Sequence, residues 1–308
     1  MEIIKNQEDY EEALEITEKL MEADPDPNSV KGKLLNILVA IIQDYENSPL
    51  KPMKTKLIEL NNKKGSLLRG IFVPKNKESV ALMIGGFESP ATTKKKFKVL
   101  ADNLSISSFR LDYTGIGLSD GDFSTLTIEN LVSDIKSTIE VLNKKGFSKI
   151  FAVCHSLSAC AISLIPDCFH RIILFAPALN QKELLRYWFV DSLEKEIDWN
   201  SYKSHLNEKE FLKDCLRKNR MTKANFISPK YFMENKDKDY SDLLSHHQEK
   251  ILHIHGLNDK TVPISSNNIT FKHNIFIKAG DHHLERPDMV KEWLERTLTF
   301  VNEDFTRP

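Results

Sequence analysis

"IFAVCHSLSACAI", Ile150 to Ile162, begins as an unbroken apolar run and ends in a small-residue helical pattern. At the changeover stands Ser156, flanked two residues away on either side by Cys154 and Ser158. An apolar run without alternation marks a strand covered on both faces. In an open α/β sheet, ligands gather where such strands end. Ser156 therefore has two readings: a cap of the following helix, or a nucleophile held at the strand end. The neighbouring segments decide between them.

Working outward, the same texture repeats. "VALMIGG" (Val80 to Gly86) precedes a predicted helix near Thr93 to Leu104, and "SSFRLD" (Ser107 to Asp112) precedes one with Ile128, Leu131, Val132, Ile135, Ile139 and Leu142 on one face. "RIILFAP" (171–177), "KILHIHG" (250–256) and "NIFIKAG" (274–280) supply three more strands. "KTKLIEL" and "SLLRGIFVP" flank "NNKKG", a hairpin signal. Apolar strands alternating with helices predict a mostly parallel sheet covered on both faces. Residues 181–249 show no strand pattern and read as a charged, helical cap inserted into that sheet. The strand ends deliver Ser156, then Asp259, then His282 and His283. Serine, aspartate and histidine in that chain order match a nucleophile with its base and orienting acid.

Composition narrows the function classes. The chain has 308 residues and 41% hydrophobic residues, enough for a packed core. Its formal net charge of -1 gives no global field for nucleic acid, so no nucleic-acid partner is expected. "MEIIKNQEDY" lacks the basic start and apolar core of a secretory signal. No apolar run approaches the roughly 20 residues of a membrane span. The expectation is a soluble, cytoplasmic protein. The four cysteines, Cys154, Cys160, Cys168 and Cys215, show no Cys-x-x-Cys spacing and are expected to be free and buried. No cluster has metal-ligand spacing, so neither metal nor cofactor is expected. His253, on a strand, reads as a satisfied interior histidine.

The N-terminal segment reads differently. Tyr10, Ala13, Leu14, Thr17, Leu20 and Met21 mark one face of a first helix. "DPDPNS" (Asp24 to Ser29) breaks it, with Ser29 as candidate N-cap of a second. That second helix carries "LLNILVAII" (Leu34 to Ile42), apolar on nearly all sides and expected to be buried on nearly all sides. Residues 1–47 are expected to form a helical hairpin, and 48–308 the second domain with its cap at 181–249.

With these residues in view, residues 54–303 resemble an α/β-hydrolase with a helical cap. "HGLNDKTVP" (255–263) resembles the family's acid loop and "AGDHHL" (279–284) its histidine loop, implying a Ser156, Asp259, His282 triad. His283 competes with His282 for the role of base. "LDYTGIGLSDGDF" (111–123) resembles the loop after the fourth strand. "IGGFESP" (84–90) resembles the oxyanion loop, with Gly85 where many members have histidine. The resemblance implies an oxyanion hole formed by the backbone amides of Phe87 and Leu157. His155, beside the nucleophile, is implied to be an elbow packing residue.

The elbow departs from the family's Gly-x-Ser-x-Gly, reading Cys-x-Ser-x-Ser, yet its flanks stay small enough for the turn. "SLSA" (156–159) is similar to the elbow of the acyltransferase branch, the bioluminescence-type fatty acyl thioesterases. Gly85-Gly86-Phe87 is close to that branch's Ser-Gly-Phe. The implied substrate is an acyl ester or thioester, and an acidic acyl carrier is a candidate partner for "KKKFK" (Lys94 to Lys98), which otherwise reads as a solvated face. "LLRYWFV" (Leu184 to Val190) reads as cap core or as the wall of an acyl pocket.

Residues 1–47 resemble the N-terminal segment of HigA-type antitoxins. The helix-turn-helix that follows in those proteins is replaced here, so the resemblance implies a homodimer or protein-partner role rather than DNA binding. The alternative to an enzyme is a regulatory protein that uses the hydrolase scaffold and these helices to hold a partner.

Overall fold

The wholly apolar runs form the middle of an eight-stranded sheet. In the computed structural model, which describes residues 4, 7–47, 55–194, 197–218 and 220–303, α1 (Gln7–Glu22) and α2 (Val30–Asn47) come first. Then follow β1 (Lys56–Asn61), β2 (Leu67–Val73), β3 (Ser79–Ile84), α3 (Lys95–Asn103), β4 (Ser107–Asp112) and α4 (Ile128–Lys144). β5 (Lys149–His155), α5 (Ser158–Ser163) and β6 (Arg171–Phe175) lead into a segment outside the main sheet. It holds α6 (Gln181–Leu193), α7 (Tyr202–His205), α8 (Glu208–Cys215), the two-residue strands β7 (Arg220–Met221) and β8 (Phe226–Ile227), and α9 (Pro229–Asn235). The sheet resumes with β9 (Ile251–Gly256) and β10 (His273–Ile277), followed by α10 (Pro287–Asn302).

The strand order is β1-β2-β4-β3-β5-β6-β9-β10. β1, β2 and β4 pair antiparallel, and every other pair in the sheet is parallel. From β3 the chain runs to β4 on one side, then crosses to β5 on the other. The order therefore reverses at β3 and β5, whose ends lie level, Ile84 opposite Cys154. A crevice opens at such a reversal, and ligands use it. All residues of β3, β4 and β9 are buried, as two covered faces require. Each fully buried Leu, Ile or Val there contributes about 1.5–3 kcal/mol relative to exposure.

Several expectations are corrected. The 181–249 segment does contain strands, β7 and β8, too short to show a period of two. Cys168 is exposed on a short turn, while Cys154, Cys160 and Cys215 are buried and all four are free. "KKKFK" is not one solvated face. Lys96 is wholly buried, because α3 turns that position inward onto the histidine loop.

The chain divides into two compact units, Met1–Lys54 and Thr55–Pro308. The expected junction at 47/48 falls against residues 48–54, which lie outside the described residues. In the first unit α1 and α2 pack through Ala13, Ile42 and Tyr45, with the Tyr10 and Tyr45 rings 5.1 Å apart. Ser29 Oγ accepts from the Gly32 amide at 3.1 Å, the N-cap bond that α2 needs. The apolar surface is less covered than its composition predicts: Met21, Leu34 and Ile37 are 61, 44 and 55% exposed. Two helices can cover only one face of each other.

Candidate active site

β5 delivers the chain into Ser156 with φ +57°, in the left-handed region that a non-glycine residue enters at a cost of about 1–3 kcal/mol. The surroundings hold it there. Ser156 N–H donates to the Phe175 carbonyl at 2.9 Å, and Ser156 O accepts from Ala178 N–H at 3.1 Å. The departures from the glycine-flanked elbow have structural employment. Ser158 Oγ accepts from His155 N–H at 3.0 Å and donates to the Ile84 carbonyl at 3.1 Å. It thereby ties the elbow to β3. Cys154 is wholly buried in the sheet, and burial pushes its thiol far up, so it stays neutral.

Asp259, the expected acid, sits in the turn after β9. Asp259 Oδ1 accepts from the amides of Thr261 and Val262 at 2.9 and 2.8 Å, and Oδ2 accepts from His282 Nδ1 at 2.7 Å. Burial alone would raise this carboxyl. Hydrogen bonds from His255, His282 and Val262, with the His282 charge, outweigh burial and hold it at about 2. Because Nδ1 of His282 donates, Nε2 is left as the basic nitrogen. Of the two adjacent histidines, His282 is the one that meets Asp259. His283 lines the pocket instead, and burial followed by the Lys94 charge lowers it below the ordinary imidazole value.

Behind His282 the backbone is pinned twice. His155 Nε2 donates to the His282 carbonyl at 2.9 Å, and Lys96 Nζ donates to the His283 carbonyl at 2.7 Å. The His155 ring lies 4.7 Å from that of His282. Burial, then the Lys96 and His282 charges, keeps His155 well below its ordinary value and neutral. Burial likewise lowers Lys96 to about 7, against the upward pull of Glu285.

The loop after β3 closes over the serine. A Cβ on Gly85 would stand 1.7 Å from the Ser89 carbonyl oxygen, so no side chain fits where many α/β-hydrolases carry histidine. A Cβ on Gly86 would stand 3.0 Å from Ser156 Cβ and 3.1 Å from the His155 oxygen. Tyr113 donates its hydroxyl to the Gly86 carbonyl at 2.8 Å, fixing that peptide. Among the described residues, neither the Phe87 nor the Leu157 amide donates to another group.

Ser156, Leu157, Phe87 and His282 line one pocket of about 410 Å³, within the usual range for small-molecule sites. Leu185, Trp188, Tyr231 and Phe232 add apolar walls, and Lys94 and Lys223 add charge. "LLRYWFV" is thus part cap core and part pocket wall. Leu184 and Val190 are buried, while Leu185 and Trp188 face the pocket. Trp188 Nε1 also donates to the Thr261 carbonyl at 2.6 Å, tying α6 to the acid loop. A wider depression of about 930 Å³, reaching Tyr187, Trp199 and Lys260, includes neither Ser156 nor His282.

Sequence reading missed Glu88, which follows Phe87 at φ +49°. Its carboxylate accepts from the Thr222 hydroxyl, from Asn225 Nδ2 at 2.8 Å and from the Lys223 amide at 3.1 Å. Burial would raise it, yet these bonds outweigh burial and lower it. The oxyanion-type loop is thus joined to the β7–β8 hairpin. No local pattern signals a partner more than 130 residues away. Tyr231, Phe232 and Thr261 were also missed, since pocket walls and packed core share one residue chemistry. Among the described residues, no group of His, Cys, Asp and Glu could hold a metal ion, and no helix is long and apolar enough to cross a membrane.

Comparison with solved structures agrees with this architecture. Est1E from Butyrivibrio proteoclasticus, in complex with ferulic acid, superposes with a TM-score of 0.62 at 16% identity, over 81% of this chain and 100% of that one. The Pyrococcus furiosus esterase Pf2001 gives 0.57 at 12% identity, over 85% and 93%. Mouse alpha/beta hydrolase domain-containing protein 10 gives 0.51 at 16% identity, over 80% and 99%. The second unit has the α/β-hydrolase fold. Residues 1–51 match the family model of the HigA antitoxin N-terminal domain. No curated protein matches the chain.

Proposed function

We propose that the protein is a serine hydrolase cleaving a carboxylic ester or thioester through an acyl-enzyme. The observation that carries this reading is the 2.7 Å bond from His282 Nδ1 to a carboxylate held at about 2, with Nε2 left basic in the pocket that Ser156 enters from a strained elbow. A serine hydroxyl is a weak nucleophile near neutral pH, and His282 takes its proton as Oγ attacks the acyl carbon. Asp259 fixes the imidazole tautomer and stabilises the imidazolium. The amides of Phe87 and Leu157 receive the developing oxyanion, each worth about 3 kcal/mol in the transition state. His282 returns the proton to the leaving oxygen or sulfur. Water, activated by the same histidine, then releases the acid, and another acceptor in place of water makes the reaction an acyl transfer.

The walls formed by Phe87, Leu185, Trp188, Tyr231 and Phe232 favour a medium or long acyl chain, or an aromatic acyl group, over acetyl. The ferulic acid bound by Est1E supports the aromatic option. Lys94 and Lys223, which form no ion pair among the described residues, suit an anionic leaving group such as that of an acyl carrier. Each buried methylene contributes about 0.8 kcal/mol, so kcat/KM should climb with chain length until the pocket is full. The test is a series of nitrophenyl esters and matched acyl thioesters on wild type and Ser156→Ala. A rising profile that vanishes in Ser156→Ala is expected. Equal turnover in the variant would refute the mechanism, and a profile falling from acetyl would refute the acyl preference.

A further inference from the structure

A buried chain of hydrogen bonds runs behind Asp259, and its protons can be counted. His253 Nδ1 lies 3.1 Å from Asn274 Oδ1. His253 Nε2 lies 2.9 Å from His255 Nδ1. His255 Nε2 lies 2.8 Å from the Val262 carbonyl and 3.3 Å from Asp259 Oδ2. Both ends of the chain are acceptors. A flip of the Asn274 amide would turn the near end into a donor, but Asn274 Nδ2 already donates to the Phe271 carbonyl, and a flip would set two oxygens together. Three links, the last shared by the Val262 and Asp259 oxygens, need three protons on four ring nitrogens. Two neutral imidazoles supply two.

We infer that His253 and His255 together hold a third ring proton, so that a buried imidazolium at His255 stands against the carboxylate of Asp259. The distribution follows from the surroundings. His253 lies between the Phe271 and Phe276 rings at 5.0 and 5.7 Å. Burial there, then the His255 charge, lowers it to about 3, so it is the neutral member. It donates from Nδ1 to Asn274 and accepts at Nε2 from His255. His255 donates from both nitrogens, and Asp259 is the anion beside it. Both histidines are positioning residues, since neither lines the pocket that holds Ser156.

This rests on the triad reading above and deepens it. A lone carboxylate favours the imidazolium of its partner histidine and raises the pH at which that base becomes available. Here Asp259 is already matched by a cation, so His282 faces a nearly neutral pair in place of a bare carboxylate. The other charges that reach this region are Lys96 from α3, Asp281 beside the histidine loop and Arg296 from α10, which donates to the Asn274 carbonyl at 2.9 Å, with His155 and His283 close to His282 and the Tyr187 hydroxyl close to Asp259. They are the same in the variants below.

The direct test is long-range proton–nitrogen NMR on the full chain with labelled histidine, assigned with His253→Leu and His255→Gln. Near neutral pH, one ring should show two protonated nitrogens and disappear in His255→Gln, while a second shows a single tautomer and disappears in His253→Leu. Two neutral rings would overturn the inference. The functional test is the pH profile of kcat/KM on a nitrophenyl ester. His253→Leu leaves His255 Nδ1–H without an acceptor and discharges the imidazolium. The acid limb should rise by on the order of one pH unit, with the alkaline plateau kept within a few-fold. His255→Gln, which retains a donor for Val262, should move the limb the same way. A lowered plateau with an unmoved limb would mark a merely structural role and overturn the inference. Wild type that hydrolyses nothing would sink the proposed function, whereas the NMR result decides the proton count regardless.

Discussion

Gly85 and Gly86 stand side by side in the loop over Ser156 and fail differently when enlarged. At Gly86 the nearest obstacle is Ser156 Cβ at 3.0 Å, so an alanine presses on Ser156 without breaking the loop. Gly86→Ala should lower kcat about tenfold or more, with KM and unfolding temperature little changed. At Gly85 the obstacle is backbone at 1.7 Å, so Gly85→Ala should fold poorly or not at all. Equal behaviour of the two variants would show that the loop is looser than described. Lys96 gives a pH test. Its folded value of about 7 lies below the unfolded 10.5, so the folded state binds fewer protons than the unfolded state between these values. The penalty for burying its charge is complete below about pH 7. It is relieved by about 1.4 kcal/mol per pH unit at most as pH rises toward 10.5. Lys96→Met should therefore gain on wild type most at about pH 6 and lose that gain by about pH 10, read by thermal unfolding across that range. A constant difference would place Lys96 in water. At this scale the strand-end residues Ser156, Asp259 and His282 were legible, because their order and flanking motifs are local. Lys96 was not, because its burial depends on which way α3 turns on the sheet.

At the scale of elements, the Glu88 carboxylate is the bond between the oxyanion-type loop and the β7–β8 hairpin. Glu88→Ala removes four acceptor contacts at once and leaves the hairpin its strand pairing, the Arg220 bond to Asp214 and the buried Ile227. The hairpin amides near Thr222 to Asn225 should exchange hydrogen faster, and kcat/KM should fall about tenfold with only a small loss of unfolding temperature. Unchanged exchange would show that the hairpin is held by other contacts. The central strands β3, β5, β6 and β9 were readable because each carries an apolar run bounded by turn residues, and β1 and β2 because a turn signal lies between them. β7 and β8 escaped because two residues cannot display a period. Their pairing depends on Glu88 and on the turn between them rather than on pattern. The α1 face was read one position too wide, since Met21 is 61% exposed.

At the scale of the whole molecule, the two units differ in kind. Thr55–Pro308 has the α/β-hydrolase fold, and the residues proposed for catalysis all come from it. Met1–Lys54 is a helix pair with exposed Leu34 and Ile37. We propose that residues 1–47 hold a second copy of the chain or another protein, with the second copy favoured, since a symmetric pairing covers both apolar patches at once. A chain starting near Ser48 should keep the proposed hydrolytic activity and, if the pairing is right, become monomeric in light scattering. A full-length protein that is monomeric at every concentration would remove the pairing. The two textures read from the sequence correspond to the helix pair and to the sheet-bearing unit.

Fluorophosphonate labelling followed by intact mass tests the central claim most directly, because the reagent reacts with a serine only where a base, an oxyanion site and an open pocket converge. Wild type should gain one adduct, mapped to Ser156, and His282→Ala should react slower by orders of magnitude while remaining folded. A well-folded wild type that takes no label, or a Ser156→Ala protein that takes as much, would contradict the account.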